Sequence, residues 1–135
     1  MEELDPVFNR VAAYFSLLSE PMRLKIVHAI CLEEKSVSAI VEVTGATQTS
    51  VSRHLNRMHA AGAVARRREG NQVYYRVADA NLVDLCRNVC VRIAAEIDEQ
   101  QPMRKGLMRL IPQAPKATAR KHRNGAASRR AGKNG

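Results

Sequence analysis

One short stretch of this chain restricts the folds open to it more than any other. Gly45-Ala46-Thr47 offers a tight turn and a helix cap, and a helix from about Gln48 to Ala61 follows. Val51, Leu55 and Met58 recur at i, i+4, i+7 and form a narrow apolar stripe, while Gln48, Thr49, Ser52, Arg53, Asn56 and Arg57 lie opposite. Gly62 ends the helix. Ala63 to Arg68 and Gln72 to Val77 then alternate as two strands, with Glu69-Gly70-Asn71 as the turn and Arg66-Arg67-Arg68 leading into it. Two strands of about six residues do not stand alone as a sheet. The hairpin and the polar helix must therefore lean on a helical body.

The flanking sequence supplies that body. Asp5-Pro6 can open a first helix, with Val7, Val11, Tyr14, Phe15 and Leu18 at helical spacing. Ser19 is the expected N-cap of a second helix carrying Met22, Leu24, Ile26, Val27, Ile30 and Cys31. Glu33-Glu34-Lys35 reads as a polar connection. Ser36 caps a short third helix with Val37, Ile40 and Val41 inward. After the hairpin, Asp79 or Asn81 caps a long last helix to about Glu99, with Leu82, Leu85, Cys86, Val89, Cys90, Ile93 and Ile97 on one side. The predicted order is α-α-α-α-β-β-α: mainly α with a small β-hairpin, a winged helix-turn-helix domain over 1–100. Pro102 and Gly106 are read as ending regular structure. Residues 101–135 are expected to be a disordered basic tail, in which Met103, Leu107, Met108, Leu110 and Ile111 could form one amphipathic turn.

Charge sharpens this division. The chain of 135 residues has a net charge of +9, but residues 1–100 hold twelve Lys/Arg against thirteen Asp/Glu, whereas 101–135 hold ten Lys/Arg and no acid. A basic tail binds phosphate backbones without reading sequence, so any sequence-specific function must rest on residues 45–76. No apolar run is long enough to span a bilayer. Met1-Glu2-Glu3-Leu4-Asp5 is unlike a signal peptide, which points to the cytoplasm, where the three cysteines are expected as free thiols.

A major groove admits one α-helix, and base edges are read by side chains with suitable donors and acceptors. Gln48 can pair with adenine, and Arg53 with guanine or a phosphate. Thr49, Ser50 and Ser52 can reach bases or phosphates, and Arg57, Arg66, Arg67, Arg68 and Asn71 are candidates for the flanking backbone. The long apolar face of the last helix asks for a partner, and a two-fold dimer is the common solution. Double-stranded DNA and a second copy are the expected partners, with no membrane partner. A constitutive architectural DNA-binding protein that owes its affinity to the tail is the alternative. No nucleophile-base set, phosphate loop or paired-carboxylate motif suggests an enzyme, and no aromatic-rich surface suggests RNA.

Residues 8–99 resemble the ArsR/SmtB family of bacterial winged-helix repressors. The resemblance is carried by Leu17-Leu18-Ser19-Glu20-Pro21-Met22-Arg23-Leu24-Lys25-Ile26, by Thr47-Gln48-Thr49-Ser50-Val51-Ser52-Arg53-His54-Leu55, and by Arg68-Glu69-Gly70-Asn71-Gln72-Val73-Tyr74-Tyr75-Arg76-Val77, in that order. It implies a homodimer through the first and last helices, an inverted-repeat operator, and repression relieved by an inducer. It also implies DNA contacts at Gln48, Thr49, Ser50, Ser52 and Arg53. The family's zinc site on the last helix is not reproduced: Asp79 fits, but Asn81, Arg92 and Ala95 stand at the other positions. The family's Cys-x-Cys site in the third helix is also missing, since 36–43 holds no thiol.

Cys31, Cys86 and Cys90 remain as candidate sensors. Cys86 and Cys90 share a helix face at i, i+4, which does not suit a mutual disulfide. Family members that sense reactive sulfur pair a thiol of the second helix with one of the last. Relative to those, Cys31 lies about one turn late and Cys90 about one turn early, with His28 and Ala94 at the matching places. Three readings stand. The first is redox or reactive-sulfur sensing through Cys31 with Cys86 or Cys90. The second is arsenite or another thiophilic ion bound by three thiolates. In the third, the cysteines are small apolar fillers. No cofactor is required, and a thiophilic ion would act as inducer.

Overall fold

A computed structural model describes residues 1–111 of the chain. After a single 3₁₀ turn the elements are α1 (Asp5–Leu17), α2 (Pro21–Ile30), β1 (Lys35–Ser36), α3 (Val37–Thr44), α4 (Gln48–Ala60), β2 (Val64–Glu69), β3 (Gln72–Val77), α5 (Ala80–Glu96) and α6 (Pro102–Leu110). The expected winged helix-turn-helix order is present, with two additions: β1 and α6.

Local chemistry sets most of the boundaries. The side chains of Ser36, Thr47 and Asp79 each accept a backbone N–H in the first turn of α3, α4 and α5. Gly45 leaves α3 in the left-handed conformation at φ 71°. The N-cap of α2 is Glu20 and not the expected Ser19: its carboxylate accepts from Arg23 N at 3.0 Å, while Ser19 Oγ donates to Ser16 O at 2.7 Å and closes α1 instead. Pro21 decides between them, because the residue before a proline is pushed into extended backbone, and Glu20 has φ −124° and ψ 125°.

The sheet is antiparallel with order β1-β3-β2. β2 and β3 form a two-residue hairpin with Glu69 opposite Gln72. Gly70 takes φ 61°, and among the described residues none other than glycine has positive φ. Asn71 therefore does not use its tolerance of that region, and the turn fits type II′. Lys35, expected in a polar connection, pairs instead with Tyr75, and Ser36, besides capping α3 as expected, pairs with Tyr74.

The core gathers Ile26, Val27 and Ile30 from α2, Ile40 from α3, Val51, Leu55 and Met58 from α4, Tyr75 from β3 and Leu82 from α5. The outer helices are different. Val7, Val11 and Phe15 on α1 are about half exposed, as are Val89 and Ile93 on α5. A single copy leaves these apolar faces in water.

α5 stops at Glu96, slightly short of the expected end. Residues 102–110, expected within an irregular tail, form a helix in which Pro102 occupies the first turn instead of ending structure. Arg104 Nε donates to Ala94 O at 3.0 Å and ties α6 to the end of α5. The expected boundary near residue 100 lies between these two helices. The tail from residue 112 onward falls outside the described residues.

Candidate nucleic-acid interface

α4 is driven into place by its stripe. Val51, Leu55 and Met58 are essentially inaccessible to water, so the opposite side must face out. Gln48, Thr49, Ser52, Arg53 and Asn56 line one open polar surface. Gln48, Thr49, Arg53, Asn56 and Arg57 are exposed, and Ser50 and Ser52 are half-buried. The described structure therefore assembles the amide, hydroxyl and guanidinium groups expected on one helix face.

The wing separates its arginines by register. Arg66 pairs with Tyr75 and Arg68 with Val73, so both share the sheet face that turns Val64 and Tyr75 into the core. They extend that face beyond the core, exposed, and line an open groove together with Arg67, Val73 and Tyr75. Arg67 points to the other face. Its guanidinium binds both oxygens of Glu34, pairs with Glu69 Oε2 at 2.6 Å, and lies 4.6 Å above the Tyr74 ring centre. These hydrogen bonds hold the Glu34 carboxyl below the usual carboxylate range and push the Arg67 guanidinium further up. Asn71 is exposed at the tip.

Two long-range polar contacts not evident from the sequence tie the helices of the domain together. Arg23 is the only buried charged residue among those described, at 5% exposure. It sits in the first turn of α2, where the helix dipole disfavours a cation; that misfit was the available signal that it serves another element. Tyr14 Oη donates to Asp79 Oδ2 at 2.7 Å and links α1 to the start of α5. Burial, the hydrogen bond and the Asp79 charge all push the tyrosine upward. A raised folded-state pKa favours the neutral phenol. Its stabilisation is therefore intact below the ordinary tyrosine value near 10 and is lost as pH rises beyond it. Alkaline titration of unfolding should show a steeper loss in the wild type than in Tyr14→Phe; parallel curves would rule out this linkage.

The thiols are gathered around His28. Cys86 and Cys90 line an apolar cleft of about 220 Å³ with Phe15, Leu18, His28 and Val89. His28 Nε2 is 3.7 Å from Cys90 Sγ, and His28 Nδ1 is buried without a hydrogen-bond partner. Burial holds His28 below its ordinary value, opposed by the Leu110 backbone. Cys31 is half-buried and its thiol donates to His28 O at 3.3 Å. Burial pushes all three thiols up. No group of three His, Cys, Asp or Glu side chains among the described residues is placed to hold a metal ion, so the three-thiolate arrangement is not formed within one described subunit.

Residues 20–66 match the family described as bacterial regulatory protein, arsR family. The chain is 37% identical over 93 residues to a probable mercury resistance operon repressor of Streptomyces lividans, covering 67% of this chain and 74% of that protein. It is 34% identical over 76 residues to a cadmium resistance transcriptional regulatory protein of Listeria innocua, covering 56% and 64%. The solution structure of a homodimeric winged helix-turn-helix DNA-binding domain from Mycobacterium bovis, a possible ArsR-family regulator, superposes with a TM-score of 0.65 at 28% identity, covering 75% of this chain and 94% of that one. No helix among the described residues is long and apolar enough to cross a membrane. The relatives are DNA-binding regulators and not enzymes, and the chain belongs to the arsR family of bacterial regulatory proteins.

Proposed function

We propose that the chain is a dimeric, sequence-specific DNA-binding repressor of the cytoplasm, released from an inverted-repeat operator by a thiol-directed signal. The observation that carries the DNA reading is the open surface of Gln48, Thr49, Ser52, Arg53 and Asn56 on a helix whose other side is sealed into the core. Gln48 and Arg53 read base edges, and Thr49, Ser50 and Ser52 assist them. Arg57, Arg66, Arg68 and Asn71 hold phosphates beside the groove. Arg67 serves by bracing the wing through Glu34. A second copy covers the apolar faces of α1 and α5, as befits kinship with a homodimeric domain. Two-fold symmetry then spaces the two α4 helices by about 34–36 Å, one turn of DNA.

For the signal, the geometry favours a two-coordinate thiophilic ion on Cys86 and Cys90. The two thiols sit one helical turn apart on one cleft. Burial pushes both thiols up, so a soft ion binds by displacing a proton from each. The resemblance to a probable mercury resistance repressor supports the same choice. Reactive sulfur acting through Cys31 with Cys86 or Cys90 is the second reading, all three being free thiols. Mercury(II) titrated into the protein bound to an operator selected from random duplexes tests the cleft assignment. Release is expected in the wild type and in Cys31→Ser, and its loss in a Cys86→Ser, Cys90→Ser double variant that still binds the operator. Undiminished release from the double variant would defeat the cleft assignment.

A further inference from the structure

The buried guanidinium of Arg23 has no carboxylate within ion-pair distance among the described residues, yet a buried charge needs compensation. The end of α1 provides it. Arg23 Nε donates to Leu17 O at 2.7 Å and Nη2 to Ser16 O at 3.0 Å. These are carbonyls of the last turn of α1, where the helix dipole is negative. The third arm leaves that helix: Nη1 lies 3.4 Å from Nδ1 of His54, in the middle of α4. With Nδ1 accepting, the ring proton sits on Nε2, which faces Glu20 Oε2 at 3.7 Å. Glu20 in turn accepts the backbone N–H of Arg23. One polar cage thus joins α1, α2 and α4.

α4 has a particular need for such a joint. Its inner side rests on a narrow stripe, and apolar contact is non-directional. A helix seated on a stripe alone can roll about its own axis. A roll of about 15° moves a rim atom, about 6 Å from the axis, by roughly 1.5 Å, enough to break a base contact of hydrogen-bond length. His54 is the immediate neighbour of Arg53, so its tether acts where the base-reading face begins.

We infer that Arg23 and His54 are positioning residues: their contact sets the roll of α4 against the end of α1 and thereby the discrimination between operator and other DNA. The inference rests on α4 being the base-reading helix. The full-length chain is used to select an operator from a random duplex pool. Binding is then measured to that duplex and to a shuffled duplex at one salt concentration. His54→Leu, which removes the acceptor, is expected to lower the operator-to-shuffled ratio by roughly ten- to a hundredfold, as for lost base contacts, with shuffled-duplex affinity within about threefold of wild type because the phosphate contacts remain. His54→Asn, which keeps an acceptor near the Nδ1 position, is expected to restore most of the ratio. Arg23→Lys, which keeps the charge without the three-armed fork, is expected to lower it and stands in should His54→Leu fail to fold. An unchanged ratio in a folded His54→Leu or Arg23→Lys, a parallel loss on both duplexes, or no rescue by a folded His54→Asn overturns the inference. A wild-type chain that selects no sequence would instead sink the DNA reading itself.

Discussion

Replacing Leu55 with alanine should lower the free energy of unfolding by about 3 kcal/mol, within the range for deleting a fully buried leucine side chain. Leu55 is 0% exposed and belongs to the cluster that joins α2, α3, α4 and the sheet. α4 is anchored by three buried side chains, Val51, Leu55 and Met58, so the loss falls in the middle of a short apolar stripe. For a domain of this size the melting temperature should drop by on the order of 10–20 °C. Urea unfolding at fixed protein concentration should show a lower midpoint with an unchanged slope. A shift below about 1 kcal/mol would mean that the helix is held chiefly by something other than its stripe.

The second large effect is on recognition. Gln48→Ala together with Arg53→Ala should cost about 2–6 kcal/mol of preference for the selected operator, taking about 1–3 kcal/mol for each bidentate contact. Folding should be nearly untouched, because both side chains are exposed and neither enters the core. Competition between the selected duplex and bulk DNA measures this directly. Retained preference in the double variant would remove base reading from this face of α4. The combination of intact melting and lost preference is the signature that separates these residues from Leu55 on the same helix.

The parts of the fold that were legible in the sequence are those decided within a few residues. Ser36, Thr47 and Asp79 cap their helices because a short side-chain oxygen reaches an amide two or three positions away. The bounds of β3 followed from alternation and from the glycine turn. Glu20 could have been read too, since Pro21 forces extended backbone on the residue before it. What escaped depends on distant partners. β1 is two residues long and exists because β3 presents an edge to it. Arg67 looked like a third phosphate ligand until Glu34, 33 residues away, took its guanidinium. α6 was anticipated only as one amphipathic turn, because Pro102 can either stop a helix or start one, and the Arg104 link to Ala94 is tertiary. The polar face of α4 was visible from spacing alone, whereas the tether of its rotation by Arg23 and the cleft around Cys86 and Cys90 were not.

The clasp between Arg67 and Glu34 lies where solvent ions reach it, with the two side chains 49% and 31% exposed. Added electrolyte therefore acts on this protein twice. It competes for the DNA phosphates, as for any cationic binder, and it also screens the attraction that keeps the hairpin's stance. The ionic-strength dependence of its DNA affinity is consequently a property of an internal strut as well as of the number of phosphates neutralised.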